Sequence, residues 1–118
     1  MNDAITLMCL VFGETSDRAF SVDINKTATV GHLKDLIKLK KQNDFRDIDA
    51  DKLTLFRVSI SIDNDIDLDE LETRMDINDE TNGVQKLHPA KKISTAFPDE
   101  PAGEHIHIIV QPPPPAYA

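Results

Sequence analysis

Three groups of residues carry chemistry that could be functional. The densest is acidic: Asp63-Asn64-Asp65-Ile66-Asp67-Leu68-Asp69 places carboxylates at alternate positions, as a calcium-binding loop does at its start. Such a loop needs glycine at its sixth position for a sharp turn and a bidentate glutamate at its twelfth. Counted from Asp63, those positions hold Leu68 and Arg74; counted from Asp65, they hold Glu70 and Asp76. The glycine is missing in both frames, so the run reads as a solvated acidic face. The second group is His105 and His107, which project from one face if they lie on a strand and could begin a metal site. No confirming spacing ties His32, His88 or a carboxylate to them as a third ligand, and they read as packed or solvent-facing histidines. The third is Cys9, the single cysteine, set in an apolar run. It reads as a small buried hydrophobe and excludes an internal disulfide.

Catalytic patterns are otherwise missing. The chain has no G-x-S-x-G turn and no glycine-rich phosphate loop, with only four glycines in all. Its carboxylates cluster in segments that look exposed, where burial cannot tune a general acid. The sequence therefore reads as a non-enzyme with no cofactor. Thirteen basic residues against 21 acidic ones give a net charge of −8 over 118 residues. A surface that acidic repels phosphate backbones and argues against nucleic acid as a partner. No apolar run approaches the roughly 18 residues of a membrane-spanning helix. The stretch Ile5–Phe12 follows Asp3 rather than a basic segment and lacks a small-residue cleavage site, so no classical signal peptide is visible. By chemistry alone the location would be cytosolic. Asn25-Lys26-Thr27 is a glycosylation sequon that would matter only in a secretory pathway.

These residues must be positioned by a small core, which 40% hydrophobic content can supply. Residues 4–12 are β-rich and end at Gly13; Ala19–Ile24 alternates apolar and polar, and the two predict a hairpin. Thr29 is placed to cap a helix over 30–43, whose Val30, Leu33, Leu36 and Ile37 recur at helical spacing. That helix must cover the hairpin, because a two-stranded sheet does not stand alone in water. Lys34, Lys38 and Lys41 share one side of it and form a candidate partner face. Leu53–Ile62 predicts an alternating strand: Phe56, Val58 and Ile60 point one way, Leu53, Leu55 and Arg57 the other. The acidic stretch from Asp63 to Glu80 holds nine acids and one base, with Leu68, Leu71 and Met75 spaced as on a short helix. Residues 82–103 read mostly as loop, with an apolar turn near Lys91–Phe97 that docks on the core. The β-branched run Glu104–Gln111 suits a central buried strand. Pro112–Pro115 then form an extended spacer. The domain spans 1–111 and the Pro-rich linker 112–118.

The order ββα, β, loop, β predicts an α+β fold of the ubiquitin-like β-grasp type, with the last strand beside the first. Fold alone does not license function. The wording narrows it further. Leu7-Met8-Cys9-Leu10-Val11-Phe12-Gly13, Ala19-Phe20-Ser21-Val22-Asp23-Ile24, Thr29-Val30-Gly31-His32-Leu33-Lys34-Asp35-Leu36-Ile37-Lys38 and Asp49-Ala50-Asp51-Lys52-Leu53-Thr54-Leu55-Phe56 resemble successive blocks of the Crinkler effector N-terminal domain. The closing His105-Ile106-His107-Ile108-Ile109-Val110-Gln111-Pro112 is similar to the signature that ends that domain. In oomycete members the delivery block reads Leu-Phe-Leu-Ala-Lys. Here Leu55 and Phe56 match, while Arg57, Val58 and Ser59 replace the rest, which resembles the fungal form. The resemblance implies a secreted effector acting inside a host cell, often in its nucleus, through a C-terminal domain outside this chain. It implies a host protein or a second copy as partner. A host-internal adaptor of the same fold is the rival reading. Because Phe56 and Leu53/Leu55 alternate on one strand, a folded domain would bury most of the delivery-like residues, and their role is expected to be chiefly structural.

Overall fold

The computed structural model describes residues 3–14, 16–43, 45–62, 84–98 and 103–113. The expectations for the acidic stretch 63–80 and for Pro114 and Pro115 fall outside these residues. The predicted hairpin is formed by β1 (Ala4–Val11) and β2 (Phe20–Asn25), antiparallel, with Ile5 opposite Ile24 and Leu7 opposite Val22. Those four side chains share one buried face, which fixes the register, since a one-residue slip would turn them all to solvent. Gly13, just past β1, has φ +98°, a conformation that suits glycine in the turn.

Helix α1 (Val30–Lys40) buries Val30, Leu33 and Ile37 against the sheet. It ends three residues before the expected 43, because at Lys41 the backbone leaves helical geometry (φ −117°) and its N–H is shared between the Ile37 and Lys38 carbonyls. The chain then turns so that Phe45 enters the core. At the other end Thr29 caps as predicted: its Oγ1 accepts from the His32 N–H at 3.3 Å. The carbonyls of Lys91 and Pro89 accept from the Val30 and Gly31 N–H groups at 2.8 and 2.9 Å. A Cβ at position 31 would lie 3.3 Å from the Pro89 oxygen, so glycine allows this close approach. The donors at this helix start are consumed by the fold itself, and none remains aimed at an anion. Thr29→Ala is expected to lower stability by about 0.5–2 kcal/mol, read as a downward shift in the urea midpoint with unchanged slope.

Strand β3 (Thr54–Ser61) and strand β5 (His105–Gln111) complete the centre of the sheet. The strand order is β2-β1-β5-β3-β4, with β5 parallel to β1 and antiparallel to β3. As predicted, the last strand returns beside the first and is buried on both faces. Strand β4 (Gln85–Lys86) is a two-residue addition to a segment that is otherwise mostly loop among its described residues: it pairs with Phe56 and Arg57 of β3. Two residues cannot carry a periodic signal, and the pairing depends on β3 being in place. A single helical turn, α2 (Ile93–Ala96), docks where the apolar turn was expected, burying Ile93, Ala96 and Phe97.

The sheet therefore carries two apolar layers. Between α1 and the sheet lie Leu7, Cys9, Leu55, Ile108 and Val110, packed with Leu33 of the helix. On the opposite face lie Leu10, Phe56, Val58, Val84, Ile106 and Ile109.

Candidate interaction surface

The delivery-like residues divide between these layers. Leu53 and Leu55 are buried beneath α1, and Phe56 is buried in the opposite layer. Arg57 is exposed, with its guanidinium 5.6 Å from the centroid of the Phe97 ring, a cation–π distance. Of Leu53, Leu55, Phe56 and Arg57, Arg57 alone is exposed and presents a functional group to a partner.

In the closing block, Val110 is fully buried under the helix, and His105 and Pro112 are half-buried. The His105 ring nitrogen Nδ1 lies 2.8 Å from the Gly103 carbonyl. His107 is buried, and its Nδ1 accepts from the Met8 backbone N–H at 2.9 Å. Strands β1 and β5 are in register from Cys9 opposite Ile108 onward, so the imidazole takes over as acceptor just where the ladder ends. On its other side His107 faces a β-bulge in β3. Phe56 pairs with Ile109 and Ile60 with Ile106, a step of four residues on β3 against three on β5. Among the described residues no group of three or more His, Cys, Asp or Glu is placed to hold a metal ion.

The three lysines of the expected partner face do not share one environment. Lys34 is 7% exposed, while Lys38 and Lys41 are half-buried. The Lys41 ammonium sits 5.0 Å from the Phe20 ring centroid. Burial holds the Lys34 amine below its usual 10.5, opposed by the Asp51 carboxylate and reinforced by the Lys86 cation. The unfolded chain therefore binds that proton more tightly, and stability rises with pH between the folded value and 10.5. Lys34→Met is expected to raise the urea midpoint at pH 7, by an amount that shrinks as pH climbs toward 10.5. A gain that stayed constant over that range would show that the buried cation is not its cause. Cys9, buried as expected, has its thiol pushed up to about 12 by desolvation, so no thiolate is available at neutral pH.

One feature of the surface has only a faint signature in the sequence. Leu39 is 62% exposed, the most exposed large hydrophobic side chain among the described residues. It lies roughly 200° around the helix from Ile37, off the buried stripe. With Asp35, Lys38, Gln42 and Arg46 it lines a shallow depression of about 340 Å³. The one legible hint was an aliphatic residue wedged within Lys38-Leu39-Lys40-Lys41.

A mixed five-stranded sheet on one main helix, with its first and last strands parallel at the centre, places the chain in the ubiquitin-like β-grasp class. Within that class, the chain belongs to the Crinkler effector protein N-terminal domain family, whose model matches residues 5–111. It is 44% identical over 110 residues to Crinkler effector protein 1 of Rhizophagus irregularis, covering 93% of this chain and 22% of that protein. It is 39% identical over 101 residues to Crinkler effector protein 108 of Phytophthora sojae, covering 85% and 12%. A third relative, Crinkler effector protein 16 of Phytophthora infestans, is 48% identical over 52 residues, covering 44% and 8%. The chain thus spans about a fifth or less of the length of the curated relatives it matches. No helix among the described residues is long and apolar enough to cross a membrane.

Proposed function

We propose that this chain forms the non-catalytic N-terminal domain of a secreted Crinkler-type effector, serving delivery into a host cell or protein contact within it. The family match over residues 5–111 is the observation that carries the reading. The far greater length of the relatives supports a division of labour, in which a C-terminal effector domain acts in the host, including its nucleus, and residues 112–118 form the linker to it. The burial of Leu53, Leu55 and Phe56 favours delivery that depends on a folded surface rather than on a displayed linear motif. The test compares a full-length protein with one lacking residues 1–111, expressed in the producing cell during contact with its host. Loss of host-cell entry with retained activity of the remainder supports the proposal. Undiminished entry refutes the delivery role and leaves protein contact within the host, and retention of the full-length protein in the producing cell favours the adaptor reading.

A further inference from the structure

Asn25-Lys26-Thr27 is the only glycosylation sequon in the chain, and the fold places it where a glycan can be carried. Asn25 is the last residue of β2, at the edge of the described sheet, and both Asn25 and Thr27 are exposed. The turn after β2 holds the Asn25 amide in one orientation. One branch of it lies 2.9 Å from the Thr27 N–H and 2.8 Å from the Thr27 hydroxyl. A backbone N–H can only donate, so the branch it meets is the carbonyl oxygen Oδ1. The other branch is Nδ2, the atom to which an N-linked glycan is joined, and among the described residues it has no hydrogen-bond partner. The surrounding backbone is tied inward: the Lys26 N–H donates to the Asp3 carbonyl and the Ala28 N–H to the Asn25 carbonyl, each at 3.0 Å. Opposite Asn25 on β1 stands Ala4, exposed and too small to crowd a substituent. With Lys26 bonded to Asp3, the alternation of an antiparallel pair turns the N–H and C=O groups of Ser21 and Asp23 toward the open side of the sheet.

We propose that Asn25 is an N-glycan acceptor, occupied when the chain is exported through the endoplasmic reticulum and carried without disturbing the fold. The inference rests on the secretion reading above. In the transfer, Nδ2 attacks the anomeric carbon of an oligosaccharide borne on a lipid diphosphate. The bond from Nδ2 to that carbon forms and the bond from the carbon to the phosphate oxygen breaks. Nδ2 gives up one proton, the lipid diphosphate leaves, and nothing is oxidised or reduced. Because the turn uses Oδ1 alone, both of its hydrogen bonds survive the modification. The glycan is bulky and well solvated, and at this position it stands beside the open edge of β2 and screens it from pairing with other strands.

Two samples test it: the whole chain directed into the endoplasmic reticulum of a eukaryotic cell by a cleavable leader, and the full-length protein recovered after export by the producing cell. The expected result in both is a single shift in electrophoretic mobility that peptide N-glycosidase removes. Asn25→Gln and Thr27→Ala should each abolish the shift, and Thr27→Ser should keep it. Thr27→Ala leaves the acceptor amide in place, so its loss of the glycan reports the sequon rather than a missing asparagine. The glycosylated chain and its enzymatically deglycosylated form should share one thermal midpoint. A leader-directed chain that acquires no glycan, or one whose midpoint falls because of it, overturns the inference whatever the route of export. Exported protein that lacks the glycan overturns it too, while export itself stands. If no protein is exported, the secretion reading fails, and the leader-directed chain decides the acceptor by itself.

Discussion

Phe56→Ala is expected to cost about 3–5 kcal/mol of stability, the largest single effect within the family-defining block. The ring is 4% exposed and packs with Leu10, Val58, Ile106 and Ile109, side chains from three strands. Truncation would leave a cavity that the rigid β3–β5 ladder cannot close. A small domain holds only about 5–15 kcal/mol in total, so the substitution moves the molecule close to its unfolding threshold. Leu55→Ala, on the helix side, is expected to cost about 2–5 kcal/mol. Arg57→Ala should cost about 0.5–1 kcal/mol, the worth of an exposed cation–π contact. Urea midpoints measure all three. If this block is structural, loss of delivery should follow loss of stability across the series. A variant of Leu55 or Phe56 that abolishes delivery while melting like the parent would instead show direct recognition.

The second large effect is expected at His107. His107→Leu keeps much of the buried volume but removes Nδ1, leaving the Met8 N–H without its acceptor at the edge of the β1–β5 ladder. An orphaned donor in partly buried surroundings costs about 1–3 kcal/mol. The local signature should be faster hydrogen exchange at the Met8 amide than at Leu10, whose strand position lies inside the registered ladder. A mere loss of packing would leave the Met8 amide as protected as before. His105→Leu serves as the control, since that ring is half-buried and makes its ring-nitrogen contact with the Gly103 carbonyl.

The histidine pair illustrates which parts of this molecule were legible in the sequence. A β-rich run ended by glycine locates β1, and alternation locates β2 and β3 and sets Leu55 and Phe56 on opposite faces, because composition and period are local properties. The capping role of Thr29 was legible for the same reason: hydroxyl and helix start are neighbours. The central position of β5 followed from a run too apolar to face water on either side. What the local sequence does not show depends on partners distant in sequence. Ile106 and Ile109, three residues apart on β5, share a layer beside the register shift between β3 and β5, and period two along β5 cannot foresee that. Helical spacing groups Lys34 with Lys38 and Lys41, but the turn Ala50–Lys52 packs against α1 and brings Asp51 near Lys34, with Lys86 of β4 also in electrostatic range, and neither is visible from the helix alone. The depression around Leu39 needs Arg46, which a turn after α1 brings into place.

The parallel pairing of β1 with β5 also sets an order of events in time. Met8 and His107 are 99 residues apart, so the contacts at the centre of the sheet join the two ends of the domain. Such non-local pairing makes loop closure costly and folding slow compared with a helical bundle of the same size. During synthesis the hairpin and α1 emerge first, yet the layers on both faces stay incomplete until the final strand is released. The domain thus remains extended, or at most partly collapsed, for as long as its last strand is withheld. Any machinery that engages the chain before β5 is available meets a polypeptide with its core still open, and closure of the sheet marks the end of that interval.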